Sequence, residues 1–187
     1  MKIFKDKKVK ESLEIAPYRD AFKNLGMNPN KFMSSIEAMT SRVAKNKKLP
    51  NINPIVDLGN SMSLKYLVPL GAHDIEVNDE DICVRFSTTG DKFTPFGESE
   101  TEILEDGELI YAVGDTVKTR RWIWRQGEEG KITNNTSNVF FPIDGFKDKN
   151  LDKVLAARDE LSELLKEIFN CEVKVGLIDK DNMEMEI

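Results

Sequence analysis

The sequence predicts an α+β domain with a mixed or largely antiparallel sheet flanked by helices. Three observations lead there. Apolar residues recur at helical spacing as far as Tyr66. From about Ile75 onward the apolar period changes to two, and a single amphipathic stretch, 151–169, returns to the helical repeat. Helices first, then strands with a late helix, is the order of an α+β chain.

Residues 1–14 are charged, with apolar Ile3, Phe4, Val9 and Leu13 among them, and read as an N-terminal arm. A short helix is expected over 15–25, with Pro17 in its first turn and Gly26 past its end. Asn28-Pro29-Asn30 makes a turn. Ser34 followed by Glu37 fits a capping box, and Ile36, Met39 and Val43 mark one face of a helix over 34–47. Asn53 as N-cap and Pro54 at the first position open a third helix, 53–67. Its apolar side is Ile55, Leu58, Met62 and Tyr66; Asp57, Asn60 and Ser63 line another side. Pro69-Leu70-Gly71 ends it and delivers His73-Asp74 into a turn.

Strands are expected over 82–86, 108–113, 116–126, 139–144 and 172–178, separated by glycine, asparagine and acidic turns. The helix over 151–169 buries Leu151, Val154, Leu155, Arg158, Leu161, Leu165 and Ile168. Residues 15–178 therefore form one domain, and 179–187 a polar tail. A chain of 187 residues fits one compact domain, or two small lobes sharing a core.

The net charge of −6 argues against coating nucleic acid through bulk electrostatics. Two lysine clusters are local exceptions: Lys5, Lys7, Lys8 and Lys10, and Lys45, Lys47 and Lys48. The second lies where a helix C-terminus favours positive charge. Cys83 and Cys171 sit far apart in apolar strand-like runs, which predicts reduced core thiols in a cytoplasmic protein. One histidine leaves no conventional zinc site, and neither a metal nor another cofactor is expected. No apolar run approaches the length of a membrane span, so no membrane contact is expected. Gly127-Glu128-Glu129-Gly130-Lys131 has the wrong glycine spacing for a phosphate loop and reads as a turn between strands.

The segment 119–126 holds both tryptophans and three arginines. Read as strand, it puts Thr119, Arg121, Ile123 and Arg125 on one face and Arg120, Trp122, Trp124 and Gln126 on the other. The tryptophan face suits a core. Arg121 and Arg125 suit a phosphate or carboxylate, because each guanidinium offers a planar fork of donors; ordinary salt bridges on an exposed strand are the alternative. His73 is the only side chain whose ordinary pKa lies near neutrality, and Asp74 beside it is expected to raise that value.

Several stretches together resemble one family. They are Asn53-Pro54-Ile55-Val56-Asp57-Leu58-Gly59-Asn60, Ser63-Leu64-Lys65-Tyr66, Pro69-Leu70-Gly71-Ala72-His73-Asp74, Arg120 to Gln126, and Lys131-Ile132-Thr133 through Phe141. The chain resembles, from about Tyr18 to Cys171, free-standing relatives of the editing (B-three/B-four) domain of the phenylalanyl-tRNA synthetase beta subunit. The family's V-D-x-x-N stretch falls on Val56, Asp57 and Asn60, and its editing-site histidine falls on His73. Its editing-site glutamate falls on or near Pro142, with Asp144 the nearest carboxylate. Arg-Trp-x-Trp-Arg-Gln is a feature of the free-standing relatives.

The resemblance implies hydrolysis in trans of mischarged aminoacyl-tRNA, with His73 catalytic. Substrate binding is expected of Asn60 and Asp74, in the motifs of the resemblance, and of Arg121, Trp124, Arg125 and Gln126, on which the resemblance places no synthetase role and whose side-chain chemistry alone suggests it. An arginine would meet a phosphate of the acceptor end, and a tryptophan would stack on the terminal adenine. The implied partners are an amino-acid moiety and tRNA, the latter held weakly and salt-sensitively. The alternatives are a non-catalytic module that binds an amino acid or the RNA acceptor end, and an interaction protein whose pocket has decayed.

Overall fold

Local sequence chemistry sets the starts of the first three α-helices. The first, α1 (Ala16–Asn24), carries Pro17 in its opening turn. Ahead of α2 (Ser35–Ala44), the Ser34 hydroxyl accepts from the Glu37 amide at 3.4 Å. Ahead of α3 (Pro54–Tyr66), the Asn53 side chain accepts from the Val56 amide at 2.9 Å. The long α4 (Leu151–Phe169) packs along α3 through Met62, Leu161 and Leu165, with Leu70 completing that cluster. The computed structural model describes residues 8–75 and 80–186. Ile3, Phe4, Lys5 and Lys7 of the N-terminal arm, and Ile187 of the tail, lie outside the described residues. Val9, in a short 3-10 turn (Val9–Glu11), is buried against the helices.

The strands are β1 (His73–Asp74), β2 (Ile82–Phe86), β3 (Lys92–Phe93), β4 (Glu102–Ile103), β5 (Leu109–Val113), β6 (Thr116–Arg120), β7 (Arg125–Gln126) and β8 (Val139–Phe140). Strands β2-β5-β6-β3-β4 make one sheet in that order, with β7 added to β6. Its pairings are antiparallel except β3 with β6. A separate ribbon pairs β1 with β8, matching His73 with Phe140 and Asp74 with Val139. The architecture is the expected α+β one. Strands β3 and β4 were not legible, since two residues each carry no period.

The expected single strand over 116–126 is overturned. After Arg120 the chain turns, with Arg121 and Trp122 both in the left-handed region at φ 50° and 60°. It then returns as β7, pairing Thr119 with Gln126 and Arg120 with Arg125. The physical reason is burial. Ile123 is 5% exposed in a core of Ile15, Tyr18, Phe22, Ile36 and Leu67, with Trp122 and Trp124 packed against it. A straight strand would place Ile123 on the arginine face. The turn is also tied to α2, whose Ser35 amide donates to the Ile123 carbonyl at 2.8 Å.

Two further expectations are corrected. Residues 172–178 do not form a strand; Val175, Leu177 and Ile178 are exposed there. Alternation makes a strand only where a sheet edge lies alongside. Cys83 and Cys171 are exposed rather than in the core. Cys83 lies on β2, an end strand of the sheet. No helix among the described residues is long and apolar enough to cross a membrane.

The turn predicts an asymmetry between two of its neighbouring positions, 123 and 125. Ile123→Ala should cost about 2–5 kcal/mol, because it empties a buried position. Arg125→Ala should cost under about 1 kcal/mol, since its ion pair with Glu98 is half open to water. Urea denaturation of both variants checks this, and similar costs would mean that the turn is not a core element.

Candidate active site

The site is built on the ribbon. Beyond the β1–β8 pairs it continues through the Gly71 amide to the Pro142 carbonyl (3.0 Å) and the Asp144 amide to the Pro69 carbonyl (3.1 Å). These bonds set His73 and Asp144 on two antiparallel segments facing the same end of the sheet. Gly71 makes the local packing feasible. A Cβ there would lie 3.3 Å from His73 Nε2 and 3.2 Å from Pro142 Cγ.

His73 is not in a turn as expected but in β1. It is 2% exposed, with its ring stacked on Tyr111 at a centroid distance of 6.2 Å. Nε2 lies 3.3 Å from the Thr119 hydroxyl, while Nδ1 is buried with no hydrogen-bond partner among the described residues. Its pKa is lowered to about 4, first by burial and then by the charge of Lys118. The expected rise from Asp74 does not occur. Successive residues of a strand point to opposite faces. The Asp74 carboxylate accepts from the Thr136 hydroxyl at 2.5 Å, and its charge acts on Lys118. Lys118 falls where the β5–β6 register slips, a bulge that tucks it into the interior.

Asp144 is the site's second unusual ionisable group. Its Oδ1 accepts from the Tyr111 hydroxyl at 2.8 Å and from the Trp122 indole N–H at 2.6 Å. Burial raises its pKa to about 6, against the lowering effect of those two donors. Trp122 is held further by edge or tilted contacts with Tyr18, Phe22 and Phe146.

A cleft opens among these groups, lined by His73, Tyr111, Thr119, Trp122, Trp124 and Asp144, with Ser35, Arg125 and Gln126 also contributing. Its cavity volume of about 80 Å³ has room for several waters or a small polar group. Of the site residues read from sequence, the fold brings His73, Trp124, Arg125 and Gln126 to this cleft. Gln126 donates to the Ala72 carbonyl at 2.9 Å, which ties β7 to the ribbon.

Asn60, Asp74 and Arg121 are not among the lining residues. Asn60 lies on α3. Arg121 is ion-paired with Glu108 at 2.8 Å and stacked over Phe32 and Trp124 at 4.1 and 4.9 Å. Arg120 pairs with Glu108 and Glu102. Arg125 pairs with Glu98 at 2.7 Å. The ordinary salt bridges weighed for this segment are thus present. Tyr111, Thr119 and Trp122 were missed as cleft residues, because strand alternation had put Trp122 in the core and nothing distinguished the other two. Asp144 was visible only as the carboxylate nearest the departed glutamate position. Among the described residues, no group of three or more histidine, cysteine, aspartate or glutamate side chains is arranged to hold a metal ion.

The model of the B3/4 domain family matches residues 17–170. The phenylalanine–tRNA ligase beta subunit of Colwellia psychrerythraea is 33% identical over 90 residues, covering 48% of this chain and 11% of the relative. That of Fusobacterium nucleatum is 26% identical over 102 residues, covering 54% of this chain and 12% of the relative. The chain thus spans roughly a tenth of the length of these curated relatives. The family match runs from the first turn of α1 to the end of α4 and takes in the whole cleft, so the chain belongs to the B3/4 domain family.

Proposed function

We propose that this B3/4 domain hydrolyses the ester of mischarged aminoacyl-tRNA in trans. The observation that carries the reading is His73: a buried imidazole that lines a cleft and whose Nδ1 has no hydrogen-bond partner among the described residues. Buried polar atoms are nearly always satisfied, so a sealed orphan on a cleft-lining residue argues for an ordered water that completes it. An aminoacyl ester is already activated, and a positioned water with donors to the developing oxyanion suffices without a nucleophile. With a pKa of about 4, His73 stays neutral and is a weak base. Its role is to orient water or the ester carbonyl, not to hold a proton.

The RNA end would meet the rim. Arg125 is held only by a half-exposed ion pair with Glu98, which a phosphate can replace. Trp124 lines the cleft and would stack on the terminal base with the part of its ring that Arg121 and Phe32 leave uncovered. Few such contacts on an acidic chain give weak, salt-dependent RNA affinity. The rival reading is a non-catalytic module that binds an amino acid or the RNA acceptor end. It is favoured by Pro142 at or near the family's glutamate position and by the low basicity of His73.

Single-turnover hydrolysis of a panel of mischarged tRNAs separates the two. The parent should deacylate at least one member, and His73→Asn should slow that reaction about 10–100-fold. Binding without turnover across the panel would favour the rival. Equal rates for parent and variant would remove His73 from the mechanism.

The two shifted groups also predict opposite acid responses. His73 has its pKa lowered in the fold, so its contribution is complete above about 6.5 and is lost as pH falls toward about 4. That gap corresponds to about 3 kcal/mol. Asp144 has its pKa raised, so its contribution is present below about 3.8 and is lost as pH rises through about 6. Between pH 4 and 6 the effects oppose each other. Chemical denaturation at pH 7 and 4.5 should therefore show His73→Asn gaining stability in acid relative to the parent, and Asp144→Asn losing it. Parallel pH dependence in all three proteins would show that neither group is desolvated as described.

A further inference from the structure

Asp144 is an acceptor that the protein itself only half uses. Tyr111 and Trp122 both donate to Oδ1, and Oδ2 has no partner among the described residues. That second oxygen is not among the sealed, unpartnered atoms, and the residue lines the cleft. Around it stand three aromatic side chains, Tyr111, Trp122 and Trp124. The cation that also lines the cleft, Arg125, is paired with Glu98. A fixed carboxylate oxygen open to a cavity with aromatic walls suits a small cation carrying N–H donors. The carboxylate gives a charge-assisted hydrogen bond, and the aromatic lining keeps competing water away from it.

Tyr111 sets the spacing. Its ring stacks on the His73 imidazole, and its hydroxyl bonds Asp144, so one side chain links the two groups. In an aminoacyl ester the amine and the carbonyl are joined through one carbon. An ammonium group at Asp144 would therefore hold the carbonyl one carbon away, in the cleft that His73 also lines.

We propose that Asp144 receives the α-ammonium group of the aminoacyl moiety, so that the site takes esters with a free amine and rejects N-acylated ones such as peptidyl esters. The identity of the ligand rests on the ester-hydrolase reading; amine recognition itself is tested by binding alone. Burial strengthens the case, because a desolvated carboxylate gains more from a cationic partner than an exposed one does.

The test uses the full chain and two non-hydrolysable probes: adenosine carrying an amide-linked alanyl group at its 3′ position, and the same compound N-acetylated. Titration calorimetry at pH 7.5 should show the free amine binding roughly 10–100-fold tighter than the acetylated probe, the range expected for one hydrogen bond to a charged group. In Asp144→Asn, which keeps an oxygen for Tyr111 and Trp122, the preference should vanish. Equal affinity of the two probes for the parent overturns the proposal, whether or not the variant folds. So does a preference that survives in a folded Asp144→Asn. Failure of both probes to bind also overturns it. Hydrolysis of mischarged tRNA by the same preparation would then show that the deacylase reading stands without it.

Discussion

Asp144 collects hydrogen bonds from three aromatic residues that come from separate parts of the chain. Tyr18 of α1 donates to its main-chain carbonyl at 2.9 Å, while Tyr111 of β5 and Trp122 of the turn donate to its carboxylate. Its own amide donates to Pro69 on the opposite side of the ribbon. Asn150, just ahead of α4, reaches the same Tyr18 hydroxyl at 2.7 Å. The N-terminal helices, the sheet, the ribbon and the start of the last helix thus meet at one residue. Removing the carboxylate would leave two buried donors without a partner, which is more damaging than losing an exposed bond.

The strained turn at 121–124 follows from that meeting point. Two consecutive non-glycine residues in the left-handed region cost on the order of 1 kcal/mol or more each. The cost is offset by what the turn buries: Ile123 in the N-terminal core, the Trp122 indole against Tyr18, Phe22 and Phe146, and its N–H on Asp144. The same conformation presents Trp122 and Trp124 to the cleft. Stability and site geometry are therefore coupled here, and the segment serves both through one backbone shape.

The charge distribution explains how an arginine-rich segment sits on an acidic chain. Arg120 and Arg121 share Glu108, and Arg120 also reaches Glu102. These guanidinium groups are largely shielded, and they organise the sheet end more than they project a basic surface. Arg125, more exposed and singly paired, is the cation at the cleft with least to lose by changing partners. His73 remains uncharged beneath it. On the deacylase reading, the site relies on positioned dipoles and one carboxylate instead of a strong positive field.

The local signals were legible in the sequence. Ser34 and Asn53 capped their helices as their side-chain chemistry requires, and the late amphipathic repeat formed α4. The change of period announced an α+β chain, and the motifs around Asn53, His73 and Trp122 carried the family. Tertiary structure decided the rest, because it depended on contacts between residues far apart in the chain. Alternation predicted one strand over 116–126, but burial of Ile123 against α1 and α2 outweighed a continuous ladder. Alternation also predicted a strand over 172–178, where the fold supplies no neighbouring edge. A lone histidine beside an aspartate looked like an exposed, more basic pair. The ribbon instead buried His73 beneath the sheet end, turned Asp74 toward Thr136, and brought Asp144 to the same cleft. Desolvation is a property of the assembled surroundings, so neither shifted pKa was written in the order of residues.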